Sequence, residues 1–89
     1  MKTGIEQITE ERTKQITKYN HTGFNDRCYT NKELLRAARA YLNTAIWGKE
    51  IGIEDWPWDK SYFKDEGFVE CLKKAGAFIA AELDRIQLN

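Results

Sequence analysis

Arg12 is the side chain in this sequence with the clearest capacity for chemistry. Counted at about 100° per residue, it falls in the middle of an apolar stripe made by Ile5, Ile8, Ile16 and Tyr19, and Gln15 lies at the edge of that stripe. A guanidinium placed where hydrocarbon is expected needs a partner, because a buried unpaired charge is very costly. Two kinds of partner fit. One is a carboxylate of the same fold, with Glu82 bordering the apolar face of the last helix. The other is an anion or polar ring of a ligand, which the planar fork of arginine binds bidentately.

Three further groups have types and spacings of interest. Asp55, Trp56, Pro57, Trp58 and Asp59 are followed by Tyr62, Phe63 and Lys64. Two tryptophans around a proline form either a packing plug or a wall on which a planar base stacks. The stretch Phe24, Asn25, Asp26, Arg27, Cys28, Tyr29, with Asn31 after it, is suited to turns and caps or to hydrogen bonds with a ribose or a base edge. Lys73, Lys74 and Arg85 are either a solvated face or a set of phosphate contacts.

Catalytic and metal templates are poorly met. Glu6 and Glu10 stand one helical turn apart, as in the carboxylate pairs with which helical nucleotide pyrophosphohydrolases hold magnesium. A second pair on another helix is required, and only Glu82 and Asp84 are available, two residues apart and on different faces. Cys28 and Cys71 have no zinc spacing, and His21 is the single histidine. There is no Gly-rich phosphate loop. The expectation is no catalytic residue, no metal and no cofactor.

These groups must be positioned by helices. Periodicity predicts a first helix from about Ile5 to Tyr19, broken by Asn20, His21, Thr22 and Gly23. After a loop over 23–29, Thr30 and Glu33 form a capping box for a second helix that runs to Trp47 and stops at Gly48. Its ridge is Leu34, Ala38, Tyr41 and Ala45, with Leu35, Ala37 and Leu42 beside it, and Lys32, Arg36 and Arg39 lie opposite. Residues 49–66 form a long, mostly irregular connection, too apolar to remain in water, with a helical turn expected after Pro57. The third helix begins near Gly67, with Phe68, Leu72, Ala75, Gly76, Ile79, Leu83 and Ile86 as its buried stripe. The small run Ala75, Gly76, Ala77 predicts a close helix crossing.

The bulk numbers frame this as one domain over residues 1–89, all-α, a small three-helix bundle with a long aromatic-rich connection. The chain has 89 residues, 42% hydrophobic and 31% charged, so it can build a core, though a thin one. Fourteen basic residues balance fourteen acidic ones, which argues against a duplex nucleic acid partner. No apolar run reaches the roughly 20 residues of a membrane span, and the polar N-terminus has no secretory signal. A cytoplasmic protein is expected.

Read together, Glu11, Arg12 and Gln15 form E-R-x-x-Q, and Asp26 follows a short loop. Asn31, Glu33, Leu34, Ala37 and Ala38 read N-x-E-L-x-x-A-A. Trp56, Pro57 and Trp58 precede Phe63 and Lys64, and the chain closes on Leu72, Lys74, Ala75, Gly76, Ala77, Ile79, Ala80, Glu82 and Arg85. This order resembles, over nearly the whole chain, a family of short bacteriophage- and prophage-encoded proteins. Those proteins usually carry an aromatic pair and Lys-Pro where this chain has Tyr62, Phe63, Lys64 and Asp65. The resemblance implies a phage accessory protein in a bacterial host cell. By analogy, such proteins counter host defence, in one strategy by sequestering a nucleotide signal in a pocket built by a homo-oligomer.

The expectation is therefore a non-enzymatic binder of a nucleotide-like ligand, its site residues being Arg12, Gln15, Asn25, Asp26, Trp56, Trp58, Lys64 and Lys74, with subunits joined through the aromatic connection. The alternatives are an inhibitor or structural accessory that binds a host protein through Trp56 and Trp58, and a magnesium-dependent hydrolase using Glu6, Glu10 and Glu82.

Overall fold

The structure, a computed structural model, describes residues 1–18 and 32–87. Helix α1 spans Gly4–Lys18, α2 spans Glu33–Trp47, α3 is the single turn Lys49–Gly52 and α4 spans Phe68–Gln87. Two 3-10 turns, Ile53–Asp55 and Lys60–Tyr62, lie between α3 and α4. Among the described residues there is no strand, and the protein is all-α. The connection over 49–66 is thus more regular than expected, and its helical turn after Pro57 is the one at Lys60.

Local chemistry sets the ends of these elements. Thr3 and Glu6 form a reciprocal cap on α1: the Glu6 amide donates to Thr3 Oγ1 and the Thr3 amide donates to Glu6 Oε1, both at 3.1 Å. This T-x-x-E cap was legible in the sequence but not anticipated. The expected capping box of α2 is not what starts that helix. Glu33 is its first residue, and Lys32 precedes it in the left-handed region at φ 64°, ψ 28°, with no side-chain cap; Thr30 lies outside the described residues. Gly48, at φ 103°, ends α2 as expected, and its amide donates to the Thr44 carbonyl at 2.9 Å.

Helix α4 is the element packed on both of the other long helices: α2 lies along one flank and α1 along another, while α3 packs on α2. The core between α2 and α4 contains Leu34, Ala37, Ala38 and Tyr41 against Cys71, Ala75, Phe78 and Ala81, and Trp56 and Phe63 close it from the connection. The α1–α4 contact is close at Gly76, where an added Cβ would stand 2.7 Å from Ile8 Cδ1. The small-residue run therefore does what its sequence suggested. The molecule is thin, 34 × 34 × 19 Å along its principal axes.

Two expected apolar stripes are corrected. On α1, Ile5 is 79% exposed and Ile16 is exposed too, Ile8 alone is partly covered, and the buried side chains are Glu11, Arg12 and Gln15; Tyr19 lies outside the described residues. On α4, Ala75 is buried as expected, but Phe68, Leu72, Ile79, Leu83 and Ile86 are exposed, and Cys71, Ala77, Phe78, Ala81 and Glu82 are buried in their place. Leu35 and Leu42 of α2 are exposed as well. Helix α4 is apolar around most of its circumference, so periodicity alone left two faces in competition, and the one covered by Tyr41, Trp56 and Phe63 is the one that is buried.

Candidate functional site

A cleft of about 590 Å³ opens where α1, α2, α4 and the connection converge. Among the described residues, α1 contributes Glu11 and Gln15, α2 contributes Tyr41, and α4 contributes Lys74 and Phe78. The connection supplies Trp56, Trp58, Asp59, Tyr62, Lys64 and Glu66.

The aromatic wall is built from the inside out. Tyr41 stacks on Phe63 at 4.6 Å between ring centroids and lies parallel to Phe78 at 6.2 Å. Trp56 stands edge-on to Tyr41, Phe63 and Trp58, at 5.5, 5.2 and 5.1 Å. Its indole N–H donates to the Asp59 carbonyl at 2.9 Å, which folds the W-P-W segment back on itself. Trp56 is the plug, buried in the core, whereas Trp58 is half-buried against Trp56 and Phe78 and faces the cleft. The packing plug is thus one ring of the pair, and the other is the ring left facing the cleft. The Tyr41 hydroxyl accepts from the Lys64 amide at 3.2 Å and so pins the rim. Burial raises the Tyr41 pKa, against a smaller opposing effect of that hydrogen bond.

The polar side of the cleft comes from α1. Glu11 and Gln15, one helical turn apart, are 4% and 3% exposed. The Glu11 carboxylate meets Lys14 at 3.4 Å. Gln15 Oε1 accepts from Arg12 Nη1 at 3.3 Å, which leaves its amide N–H groups without an acceptor among the described residues. Lys74 lies across from them, gripped by Glu66 at 2.8 Å with Glu70 at 3.9 Å. Desolvation pulls its pKa down, but the hydrogen bond to Glu66 and the field of Glu11 outweigh it, so the net shift is upward. Lys64 is exposed and makes no ion pair with the described residues.

Five expected site residues thus meet at one place: Gln15, Trp56, Trp58, Lys64 and Lys74. Arg12 is 8% exposed as anticipated, but it does not line the cleft. Its fork lies on Asp84, with Nη2 at 3.0 Å and Nε at 3.2 Å from Oδ2. Glu82, the expected partner, is buried under Arg85, whose Nη2 is 3.0 Å from Glu82 Oε2. Lys74 and Arg85 are ion-paired rather than a solvated face. Asn25 and Asp26 lie outside the described residues. The carboxylates of the hydrolase alternative are not brought together: Glu6 caps α1, Glu10 pairs with Lys2 at 2.6 Å, and Glu82 pairs with Arg85. Among the described residues no three potential ligands stand together for a metal. Arg39, on the basic side of α2, meets Asp55 of the connection at 2.9 Å.

Glu11 was overlooked as a site residue. The signal was present, since Glu11 and Gln15 have i, i+4 spacing and so share a face, but three isoleucines appeared to own the buried side.

Beside the cleft, burial, reinforced by the Asp65 carboxylate, pushes the Cys71 thiol from 9.0 up to about 11. The folded state therefore holds this proton more tightly than the unfolded chain does. That contribution is complete below pH 9.0 and is lost as pH rises toward 11. Melting temperature is expected to fall across that interval, with Tyr41 acting in the same direction. At neutral pH, alkylation of Cys71 is expected to be at least roughly a hundredfold slower in the folded protein than in denaturant, because only the thiolate reacts. Mass spectrometry after iodoacetamide pulses reads this directly.

No protein-family model matches the chain, and comparison with curated proteins and with solved structures likewise found no match.

Proposed function

We propose that the protein binds, without converting it, a nucleotide-like ligand whose base enters the aromatic cleft and whose phosphate stays at the rim. The observation that carries this reading is the adjacency of Glu11 and Gln15 at the buried side of that cleft. A buried carboxylate offers acceptors and the free amide N–H groups offer donors. A nucleobase edge presents the complementary pair, a ring or amino N–H beside a carbonyl or ring nitrogen. Polar groups this deeply buried are costly unless satisfied, and a base would satisfy both while its π-face rests on Trp58.

Charge sets the rest of the ligand. Lys74 is already neutralised by Glu66, while Asp59 and Glu11 add negative charge to the lining. Lys64 alone is left to meet a phosphate. The cleft therefore suits a nucleoside or a nucleoside monophosphate better than a triphosphate. Arg12 is a positioning residue, since it holds Gln15 Oε1 and so turns the amide donors outward. The resemblance to short phage proteins supports a use for such binding, the withdrawal of a host nucleotide signal by an assembly of like chains.

Titration calorimetry with nucleosides and their mono- and triphosphates tests this. Affinity is expected to rise from nucleoside to monophosphate and to gain little beyond it, with the ligand recovered intact. Glu11→Gln and Trp58→Ala should each weaken binding about tenfold or more, in line with roughly 1–3 kcal/mol for a stacked base or a charge-assisted bond. Arg12→Ala should weaken it less. Absence of binding by any nucleoside or nucleotide, or release of cleaved product, would sink the proposal.

A further inference from the structure

The stripe on α4 that the chain leaves uncovered is a second feature, independent of the cleft. Phe68, Leu72, Ala75 and Ile79 recur at alternating steps of four, three and four residues, and Ile86 returns to the same line seven residues on, past Glu82 at the intervening position. That is the 3.5-residue seam that seats one helix against another. Within the chain two positions of this seam are buried, Ala75 at the edge facing α2 and Glu82. The others, with Leu83 beside them, are open. A groove of about 360 Å³ runs along the seam between α4 and α2, with Leu35 and Leu42 on its far bank.

We infer that this face is where two copies of the chain join, α4 against α4 across a two-fold axis. Three observations select a second copy as the occupant. The seam repeat calls for a helix, not a loop or an extended peptide. The face carries both a ridge, the α4 seam, and the groove beside it, so one patch complements itself under two-fold symmetry, each ridge seating in the partner's groove. The area also suffices. The open side chains, Ala75 aside, are between 38% and 61% exposed and offer roughly 600–700 Å², which the flanking polar rim brings to about the 800 Å² that each partner of a stable interface buries. Charge asks for no other partner: Arg39, at the groove's edge, has Asp55 of its own chain at 2.9 Å. The cleft lies on the side of α4 that carries Lys74 and Phe78, roughly 80° to 120° around the helix from the middle of the seam, so pairing leaves it open.

Sedimentation equilibrium across a hundredfold concentration range reads the assembly. The wild-type chain is expected at twice the monomer mass. Ile79→Asp and Leu72→Asp should each sediment as monomers. Both positions are solvent-facing within the chain, so helicity by circular dichroism should be unchanged. Leu72→Ser, a milder change, should raise the dissociation constant at least tenfold without abolishing dimers. A wild-type monomer at every concentration overturns the inference. So does a dimer that all three variants preserve, or a monomer that holds a host protein stoichiometrically on this face.

Discussion

Gly52→Ala is expected to cost about 3 kcal/mol of stability, at the upper end of what overpacking a filled site does, and to lower Tm on the order of 15 °C. Gly52 ends α3 at the point where that turn crosses α2. A Cβ there would stand 2.5 Å from the Ala40 carbonyl oxygen and 2.7 Å from the Thr44 amide nitrogen, and would overlap Thr44 Oγ1. None of these atoms can yield cheaply. Two are backbone of α2, and the hydroxyl is held by its own hydrogen bond to Ala40 O at 2.8 Å. Moving α2 would drag Leu34 and Tyr41 out of the core. The backbone at Gly52 is ordinary helix, φ −62°, so alanine would gain about 1 kcal/mol in propensity, and the clash outweighs it. Gly4→Ala is the control, because its added methyl meets nothing; it should change stability by less than about 0.5 kcal/mol. Urea denaturation followed by circular dichroism measures both.

Trp56→Ala should cost about 3–5 kcal/mol and abolish ligand binding in the fraction that still folds. The indole touches four other aromatic rings, the most distant being Phe78 at 6.1 Å. It also carries the hydrogen bond that closes the W-P-W segment. Its removal leaves a cavity in the middle of the core and takes away the surface on which Trp58 leans. Trp58→Ala separates the two effects. That ring is half-buried, so its loss should cost at most about 2 kcal/mol of folding while the binding loss persists. If both variants lose stability equally and binding equally, then the distinction drawn between plug and wall is mistaken.

The sequence carried the helices more legibly than their orientations. Gly48 and the run around Gly76 announced a helix end and a close crossing, and both are where they were expected. Leu34, Ala38 and Tyr41 announced the inner face of α2. On α1 and α4 the same reasoning found only part of the buried face, Arg12 and Gln15 on one and Ala75 on the other. Three isoleucines on α1 outweighed Glu11 and Gln15 in any hydrophobic count, yet Ile8 is the one that packs against Gly76, while Ile5 and Ile16 stay exposed. On α4 two apolar faces lie side by side, and which one the chain covers depends on the fold-back of residues 53–66, a tertiary event without a local signature. The cleft was half visible. Its aromatic and lysine members were chosen on side-chain type, while Arg12 was placed at its centre because a buried cation demands a partner. The demand was real, and Asp84 meets part of it. Gly52 gave no warning at all, since a glycine in a connection reads as a turn until the neighbouring helix backbone is seen beneath it.

The position of α4 as the element that joins α1 to α2 has a consequence for how the protein is made. Both earlier helices must wait for it. At roughly 5–20 residues per second, the ribosome needs about one to four seconds for the 20 residues of α4. Until α4 is in place, Trp56 and Phe63 have only Tyr41 of α2 to pack on, and the side of the core made by Cys71, Ala75, Phe78 and Ala81 is missing. The core between α2 and α4 therefore closes only after α4 has emerged, and until then the half-covered rings of the connection are a natural landing place for chaperones.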